Sequence, residues 1–299
     1  MRRTLLTGAG GFTGRYVARL LAEQGHEVHG VVHVDDGQAI EGTVRLFEAD
    51  LADGAAIAEV VAAVNPDHVV HLAGIAFVGH SDVEQIYRSN VVGTRQLLEA
   101  LAGLKKPPRS VLLASSANVY GNSLEGELRE TTPFAPVNDY AASKVAMEFV
   151  TSLYRDRLPL TIVRPFNYTG KGQSSQFLIP KLINHSRERA AWVELGNLDV
   201  GRDFSDVRMV ADVYSRLLDA PTAPGKTLNV CSGESITLQE ILELVRSLSG
   251  HSMEVRVNPA LVRSNEVRVL RGSKSALEEV IGPIQPIPME ETLRWMLEA

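Results

Sequence analysis

TGAGGFTG, residues 7–14, is the stretch that decides the fold, because it joins an apolar strand-like run at 4–7 to a segment with helical periodicity. Its spaced glycines let the backbone approach a pyrophosphate and let the helix pack closely on the strand. The helix N-terminus adds unpaired N–H groups and positive potential, which suit an anion. The alternative interpretation is an ordinary glycine-rich turn. We expect the dinucleotide-binding residues of this turn to be Gly8, Gly11, Phe12, Thr13 and Gly14.

The same rhythm of strand, turn and helix continues as far as Pro165. Predicted strands lie at 4–7, 27–33, 44–47, 68–72, 110–115 and 160–164, and predicted helices at 13–24, 55–64, 83–104 and 140–155. Apolar runs separated by helices of this length are typical of an α/β fold with a doubly wound parallel sheet. After Pro165 the pattern weakens into shorter elements, with helices near 177–189, 210–218, 238–248 and 290–297. We therefore divide the chain into 1–165 and a smaller region, 166–299.

Composition excludes several classes of protein. The net charge of −6 gives no electrostatic reason to expect nucleic acid or an anionic membrane as a partner. Cys231 is the only cysteine, so it forms no intrachain disulfide and is expected to be a small buried residue. No segment has the length of a signal-peptide core or a membrane span, so we expect a cytoplasmic location, and we expect no metal site.

Two segments after later strands suit the same dinucleotide. Asp50 and Leu51 follow the third strand and suit the adenine edge, although Asp50 could instead cap the next helix. Leu72, Ala73 and Gly74 follow the fourth strand.

The end of the second strand leaves the cofactor open. An acidic residue there would bind the ribose hydroxyls of NAD, and an arginine would favour the 2′-phosphate of NADP, but the residue is His33. Asp35 and Asp36 are close enough to serve, or are ordinary turn residues. The choice between NAD and NADP stays open, with NADPH favoured.

The candidate catalytic residues lie beyond the fifth strand. Tyr140 and Lys144 are four residues apart, so they share one face of a helix, and an ammonium beside the phenol is expected to lower the pKa of Tyr140. Ser116 ends the fifth strand, where its hydroxyl could bind a substrate oxygen, whereas Ser115 should point the other way and be structural. Asn90 could fix backbone near the site or simply pack.

Six motifs in order carry a family resemblance: TGAGGFTG, the DL at 50–51, HLAG, NVVGT, SSANVYG and YAASK. Together they resemble the extended short-chain dehydrogenase/reductase family of NAD-dependent epimerases and dehydratases. The resemblance implies a Rossmann-type doubly wound sheet over 1–165 and a smaller C-terminal α/β region that binds a nucleotide-sugar, with some segments returning to the sheet. It also implies that Ser116, Tyr140 and Lys144 are catalytic.

The second half is most similar to the branch of GDP-mannose dehydratase and GDP-4-keto-6-deoxymannose reductase. The segments that carry this likeness are RPFNYTGKGQ, LGNLDVGRDFSDV, LNVCSG and 263–272. The likeness implies that Asn167 and Gln173 contact the sugar diphosphate, and that Glu266 accepts a hydrogen bond from the nucleotide. Arg202 and Arg263 would meet phosphates or guanine, unless they are solvated surface charges.

One departure separates the possible reactions. Dehydratases of this family carry acidic residues just after the position of Ser116, but this chain has Ala117 and Asn118 there. Elimination needs an acid and a base, which neutral residues do not supply, unless Glu125 or Glu130 replaces them. We therefore expect NAD(P)H-dependent reduction of the C4 ketone of a GDP-4-keto-6-deoxy-hexose, giving GDP-D-rhamnose or its C4 epimer. The alternatives are a C4 epimerase with bound NAD and a regulator that binds the cofactor without turnover.

A homodimer is the expected assembly. The family pairs two helices from each subunit into a four-helix bundle, here 83–104 and 140–155. These helices carry more apolar residues than one sheet-facing stripe requires. The residues in question are Val91, Leu97, Leu98, Leu101, Val145, Met147 and Val150.

Overall fold

The computed structural model describes residues 2–76, 81–121, 126–259 and 267–298. The strands are β1 Arg2–Thr7, β2 His26–Val32, β3 Thr43–Glu48, β4 His68–His71, β5 Ser110–Ala114, β6 Gly126–Leu128, β7 Leu160–Pro165, β8 Asn167–Thr169, β9 Trp192–Leu195, β10 Gly201–Arg202, β11 Phe204–Asp206, β12 Thr227–Val230, β13 Ile236–Thr237, β14 Glu254–Val257 and β15 Val269–Gly272. The helices are α1 Phe12–Glu23, α2 Gly54–Val64, α3 Val83–Tyr87, α4 Thr94–Ala102, α5 Asp139–Ser152, α6 Leu178–Arg187, α7 Val207–Asp219, α8 Leu238–Ser249, α9 Ser275–Ile281 and α10 Met289–Leu297.

A seven-stranded parallel sheet forms the centre of the molecule, in the order β3-β2-β1-β4-β5-β7-β12. Neighbouring residues of a strand point to opposite faces, so Leu5 joins one apolar core while Leu6 joins the other. The core around Leu6 includes α1 and α7, and the core around Leu5 includes α2 and α4. Both faces are therefore covered by helices, as near-continuous apolar strands require, and the predicted Rossmann-type fold class is confirmed.

The chain beyond Pro165 does not form one separate body. β12 pairs in parallel with β7 and extends the large sheet, and α7 packs beside α1 on the same face. A third apolar core is formed by α6, α8, α10 and β9, and a smaller fourth one joins Phe166 and Cys231 to Tyr120. Several segments after 165 thus return to the main sheet, while the division of the chain at 165 remains a prediction.

The helix predicted at 83–104 is not a single α-helix. It consists of α3, one π-helical stretch at Arg88–Gly93 and α4, which ends at Ala102. A π-helical turn is rare and often lies at a functional site. Here it contains Asn90, whose side chain is taken up below. The short helix α9 was not predicted, because seven residues are too few for an apolar period to show in the sequence.

The apolar residues proposed for the dimer interface are mostly inside the subunit. Leu97, Leu98, Leu101 and Met147 are fully buried, because the sheet-facing side of the two helices is wider than predicted. The solvent-facing side instead exposes Val92, Phe149 and Leu153, at 42%, 60% and 73%. Four of the seven residues named for the interface therefore belong to the core, while Val91, Val145 and Val150 are half-buried. The dimer itself remains a prediction, and an exposed apolar surface is present on the predicted helices.

No helix among the described residues is long and apolar enough to cross a bilayer. The single cysteine, Cys231, is buried as expected, and burial raises the pKa of its thiol well above the ordinary range.

Candidate active site

The glycine turn after β1 is built for close contact with an anion. Gly8 has a φ of +72°, and a β-carbon there would lie 2.8 Å from the Ala73 nitrogen. A β-carbon on Gly14 would lie 2.1 Å from the Gly8 carbonyl oxygen. α1 begins at Phe12 with Gly11 as its N-cap, and no side chain caps it. The turn, together with this helix N-terminus, fits the pyrophosphate of a dinucleotide.

The segment that follows β2, residues 33–38, contains ordinary turns. His33 lies just past β2 and is exposed. Asp35 accepts a hydrogen bond from the Gly37 nitrogen, and Asp36 accepts one from the Gln38 nitrogen. Both aspartates therefore match the interpretation as turn residues. The geometry of neither carboxylate identifies it as the acceptor for the ribose hydroxyls.

Asp50 does not cap the next helix. Its carboxylate accepts a hydrogen bond from the Ala52 nitrogen at 2.9 Å, and this bond, together with Arg88, lowers the pKa of Asp50 against the effect of burial. The helix cap is Asp53, which accepts from the nitrogens of Ala55 and Ala56. Asp50 stays half-exposed beside the sheet edge, so the capping alternative is wrong and the adenine role remains a prediction.

A hydrogen-bond chain runs beneath the cofactor side of the sheet. The Ala73 nitrogen donates to the Thr7 hydroxyl at 3.3 Å, and Thr7 bonds Nδ1 of His71 at 2.7 Å. Nε2 of His71 lies 2.8 Å from the Thr94 hydroxyl, which donates to the Asn90 carbonyl at 2.7 Å. Because Thr94 donates onward, His71 carries its hydrogen on Nε2 and accepts from Thr7 at Nδ1. The neutral imidazole therefore joins the turn at 72–74 to the π-helical stretch.

Because this imidazole is buried, we expect the folded protein to lose stability in acid. Burial, aided by the charge of Lys144, lowers the pKa of His71 to about 3, and burial also lowers the pKa of His26 and His68. Below a pH of about 6.5 the unfolded chain binds protons that the folded chain refuses, so stability falls as pH falls. We expect the free energy of unfolding to drop by up to about 1.4 kcal/mol per pH unit between pH 6.5 and 5 through His71, with a further loss through His26 and His68.

Urea denaturation at pH 7, 6 and 5 measures this slope. His71→Gln should unfold with a shallower dependence on pH, because one of the three histidines is removed. A stability that is constant over this range would contradict the prediction.

Asn90 fixes backbone next to the site. Its carbonyl oxygen accepts from the Ile75 nitrogen at 2.8 Å, and its amide nitrogen donates to the Ser143 hydroxyl at 2.9 Å. The two bonds hold the segment after Gly74 against α5, one residue before Lys144. Of the two roles that the sequence allowed, the backbone-fixing role is the one seen.

Tyr140, Lys144 and Ser116 meet at the carboxyl end of β5. The Lys144 ammonium donates to the Ala114 carbonyl at 2.9 Å, and burial lowers the pKa of Lys144 to about 8. Burial raises the pKa of Tyr140 to about 12, opposed by a hydrogen bond from Ser116. The expected lowering of the Tyr140 pKa by Lys144 was therefore wrong in direction, because removal of the phenol from water outweighs the hydrogen bond with Ser116.

The two serines at this point have different partners. Ser115 donates to the buried Glu148 carboxylate at 2.6 Å, which confirms its structural role. Ser116 accepts hydrogen bonds from the backbone and the side-chain nitrogens of Asn118, both at 3.1 Å. Glu148 in turn binds Arg164 through two hydrogen bonds, of 2.6 and 2.9 Å.

The residues assigned to the substrate side are partly engaged in local structure. Asn167 donates to the Asp203 carbonyl at 3.2 Å, and Gln173 accepts from the Thr169 hydroxyl at 2.8 Å. Arg202 donates to backbone carbonyls, including that of Val267 at 3.0 Å. Arg263 and Glu266 lie outside the described residues.

Two residues that the sequence analysis did not single out connect the halves of the site. Tyr168 stacks on Phe12 and lies 2.9 Å from the Thr13 hydroxyl, so it ties the segment after β7 to the start of α1. The fully buried Asp203 accepts hydrogen bonds from the nitrogens of Ser232, Gly233 and Gly272. A single tyrosine or aspartate has no characteristic spacing in the sequence. Only their position inside the segments RPFNYTGKGQ and LGNLDVGRDFSDV could have identified them.

Comparisons with known proteins agree with this geometry. The family model of GDP-mannose 4,6 dehydratase matches residues 5–296. GDP-6-deoxy-D-talose 4-dehydrogenase of Aggregatibacter actinomycetemcomitans is 34% identical over 281 residues, which cover 94% of this chain and 91% of that protein. GDP-6-deoxy-D-mannose reductase of Pseudomonas aeruginosa is 34% identical over 244 residues, which cover 78% of this chain and 79% of that protein.

Solved structures give the same result. A candidate epimerase from Burkholderia cenocepacia is 46% identical with a TM-score of 0.92, covering 99% of this chain and 97% of that chain. RMD from Pseudomonas aeruginosa, solved in complex with NADPH, is 29% identical with a TM-score of 0.84, covering 100% of this chain and 97% of that chain. The protein belongs to the GDP-mannose 4,6-dehydratase family, within the extended short-chain dehydrogenases/reductases, and is an NAD(P)-dependent enzyme.

Proposed function

We propose that the protein reduces the C4 ketone of a GDP-4-keto-6-deoxy-hexose with NADPH or NADH. The product is GDP-D-rhamnose or its C4 epimer, a GDP-linked 6-deoxy-D-talose. The observation that carries the proposal is the meeting of Ser116, Tyr140 and Lys144 at one strand end, beside the neutral Ala117 and Asn118. The two relatives named for GDP-6-deoxy sugars support the substrate class.

Each of the three side chains has a chemical part. The nicotinamide dinucleotide supplies the hydride when it is bound along the glycine turn. Tyr140 gives its proton to the oxygen that was the ketone, and a pKa of about 12 keeps the phenol protonated at neutral pH, as a proton donor must be. Ser116 holds the same oxygen by a hydrogen bond, and Lys144 places positive charge beside the site.

Among the described residues at this strand end, Ala117 and Asn118 supply neither the acid nor the base that elimination of water from GDP-mannose needs. The proposed replacement Glu130 accepts a hydrogen bond from the Asn229 nitrogen at 2.7 Å, on the side of β12. This bond holds the carboxylate to the sheet edge instead of leaving it mobile. Glu125 lies outside the described residues. We therefore place the protein downstream of a dehydratase.

The test is an assay of the purified protein with a panel of 4-keto-6-deoxy sugar nucleotides. We expect stoichiometric oxidation of NADPH or NADH with the GDP-linked substrate, and a C4 alcohol by NMR of the product. GDP-mannose with oxidised cofactor should yield no keto sugar, and steady formation of one would overturn the assignment. Rates measured with NADPH and with NADH identify the preferred cofactor. Rates measured with GDP-linked and with UDP-linked substrates identify the preferred nucleotide base.

A C4 epimerase with tightly held NAD is the second candidate, because it needs the same three residues, and one structural neighbour is a candidate epimerase. It would interconvert two C4 alcohols without net consumption of cofactor. A regulator that binds cofactor without turnover is disfavoured, because the three catalytic side chains are intact.

We also retain the homodimer and the cytoplasmic location as proposals. For the dimer, light scattering at micromolar concentration should give twice the mass of one chain. Leu153→Glu places a charge in the exposed apolar surface of α5 and should produce a monomer. Val257→Glu is the matched control, because Val257 is 54% exposed on β14, away from these helices. A wild-type monomer would contradict the proposal.

A further inference from the structure

The hydroxyl oxygen of Ser116 accepts two hydrogen bonds, and both come from Asn118. It is the N-cap of the short 3₁₀ turn at Ala117–Tyr120, and its hydroxyl oxygen accepts from the Asn118 backbone nitrogen. The Asn118 amide nitrogen donates to the same oxygen, also at 3.1 Å. A serine hydroxyl has two acceptor lone pairs and one hydrogen to donate. With both lone pairs taken, Ser116 has only its hydrogen left for other partners.

Tyr140 is the neighbouring side chain that can accept this hydrogen. Burial raises the pKa of Tyr140, and a side-chain hydrogen bond with Ser116 opposes that rise, as a donor to the phenolate does. The hydroxyl of Ser116 is nearly enclosed, with 5% of the residue exposed, so water does not compete well for it. In the complex with substrate, the same donor can be offered to the ketone oxygen, where negative charge develops during reduction.

A carboxylate at position 118 would reverse this arrangement. An ionised carboxylate only accepts hydrogen bonds, so it would take the Ser116 hydrogen and turn it away from Tyr140. The amide at 118 thus differs from the acidic residue of the dehydratases in two ways: it supplies no base, and it keeps Ser116 a donor. Its side chain is exposed, so the core does not depend on it.

We infer that Asn118 is a positioning residue that sets the direction of the Ser116 hydrogen bond, so that Ser116 offers its one hydrogen to Tyr140 in the free enzyme and to the substrate oxygen when the substrate is bound. The inference rests on the proposed reduction of a C4 ketone. It assigns to Asn118 an effect that is transmitted through Ser116 alone.

A double-mutant cycle tests the inference. Asn118→Asp and Asn118→Ala are made in the wild-type chain and in the Ser116→Ala chain, and kcat for reduction of the keto sugar is measured at pH 7.5. We expect Asn118→Asp to lower kcat by about 10- to 100-fold. Asn118→Ala should lower it less, because the backbone nitrogen still donates. In the Ser116→Ala chain the same changes should alter kcat less than about twofold.

The controls separate positioning from folding. The affinity for NADPH, by fluorescence titration, and the thermal midpoint should stay unchanged in both Asn118 variants. Equal loss of kcat in the two backgrounds would overturn the inference, and so would a wild-type kcat in Asn118→Asp.

Failure of the proposed function has a different signature. A wild-type chain that reduces no 4-keto sugar overturns the function, and Tyr140 itself then reports on Asn118. Alkaline ultraviolet titration, with Tyr140→Phe as the reference, should show a higher pKa of Tyr140 in Asn118→Asp than in the wild type. An unchanged pKa would overturn the inference independently of activity.

Discussion

Replacement of Tyr140 by Phe is expected to lower kcat for ketone reduction by about 100- to 10,000-fold while cofactor affinity stays the same. The ring keeps its buried position, so the packing around α5 is retained, but the proton donor is lost. Because the pKa of Tyr140 is about 12, the wild-type phenol is protonated throughout the neutral range. The fold-decrease in kcat caused by Tyr140→Phe should therefore be nearly the same at every pH between 6 and 9. Steady-state rates over this range, with titration of NADPH, measure both quantities.

Tyr154→Phe is the matched control. Tyr154 lies just beyond the end of the same helix, is also buried, and donates its hydroxyl hydrogen to Glu99 at 2.8 Å, away from the active site. Its kcat should remain close to that of the wild type. A Tyr140→Phe enzyme with more than about a tenth of wild-type kcat would exclude the phenol as the proton donor.

Replacement of Arg164 by Met is expected to destabilise the protein by about 3–5 kcal/mol. Arg164 and Glu148 are almost completely buried, and Arg164 also donates to the Tyr120 hydroxyl at 2.9 Å. Burial by itself would lower the pKa of Arg164. The hydrogen bonds and the charge of Glu148 outweigh burial, so the pKa of Arg164 lies above its ordinary value. Removal of the guanidinium would leave the Glu148 carboxylate in the interior with Ser115 as its hydrogen-bond partner among the described residues, and with the more distant charge of Lys144. An unpaired buried charge is the reason for the large effect.

Urea denaturation at pH 7 measures the change in the free energy of unfolding. Arg294→Met is the matched control, because Arg294 pairs with Glu290 at 2.7 Å on the surface, and its loss should change stability by less than about 1 kcal/mol. The double variant Arg164→Met with Glu148→Leu should be more stable than Arg164→Met alone, since it removes the orphaned charge. A double variant that is less stable than the single one would show that the polar network matters more than the ion pair.

The sequence alone predicted the architecture of the first half of the chain and the three residues that meet at the carboxyl end of β5. Strand and helix periods, the glycines at 8, 11 and 14, and the four-residue spacing of Tyr140 and Lys144 are local features, because each depends on residues close together in the chain. Element bounds in this half were predicted to within a few residues, apart from the π-helical stretch and the three-residue strand β6, which was not predicted. Local backbone preference and side-chain period do not require knowledge of distant contacts.

Only the tertiary structure decided the environments of these residues. Burial raised the pKa of Tyr140 where the neighbouring ammonium was expected to lower it, since desolvation depends on everything packed around the phenol. The apolar residues Leu97 and Leu101 proved to be core, because the number of packed faces on a helix is set by its neighbours. The partner of Ser116 was likewise decided by the turn that brings Asn118 back onto it. Spacing therefore specified which groups occur in the site, and three-dimensional packing specified their charge, direction and exposure.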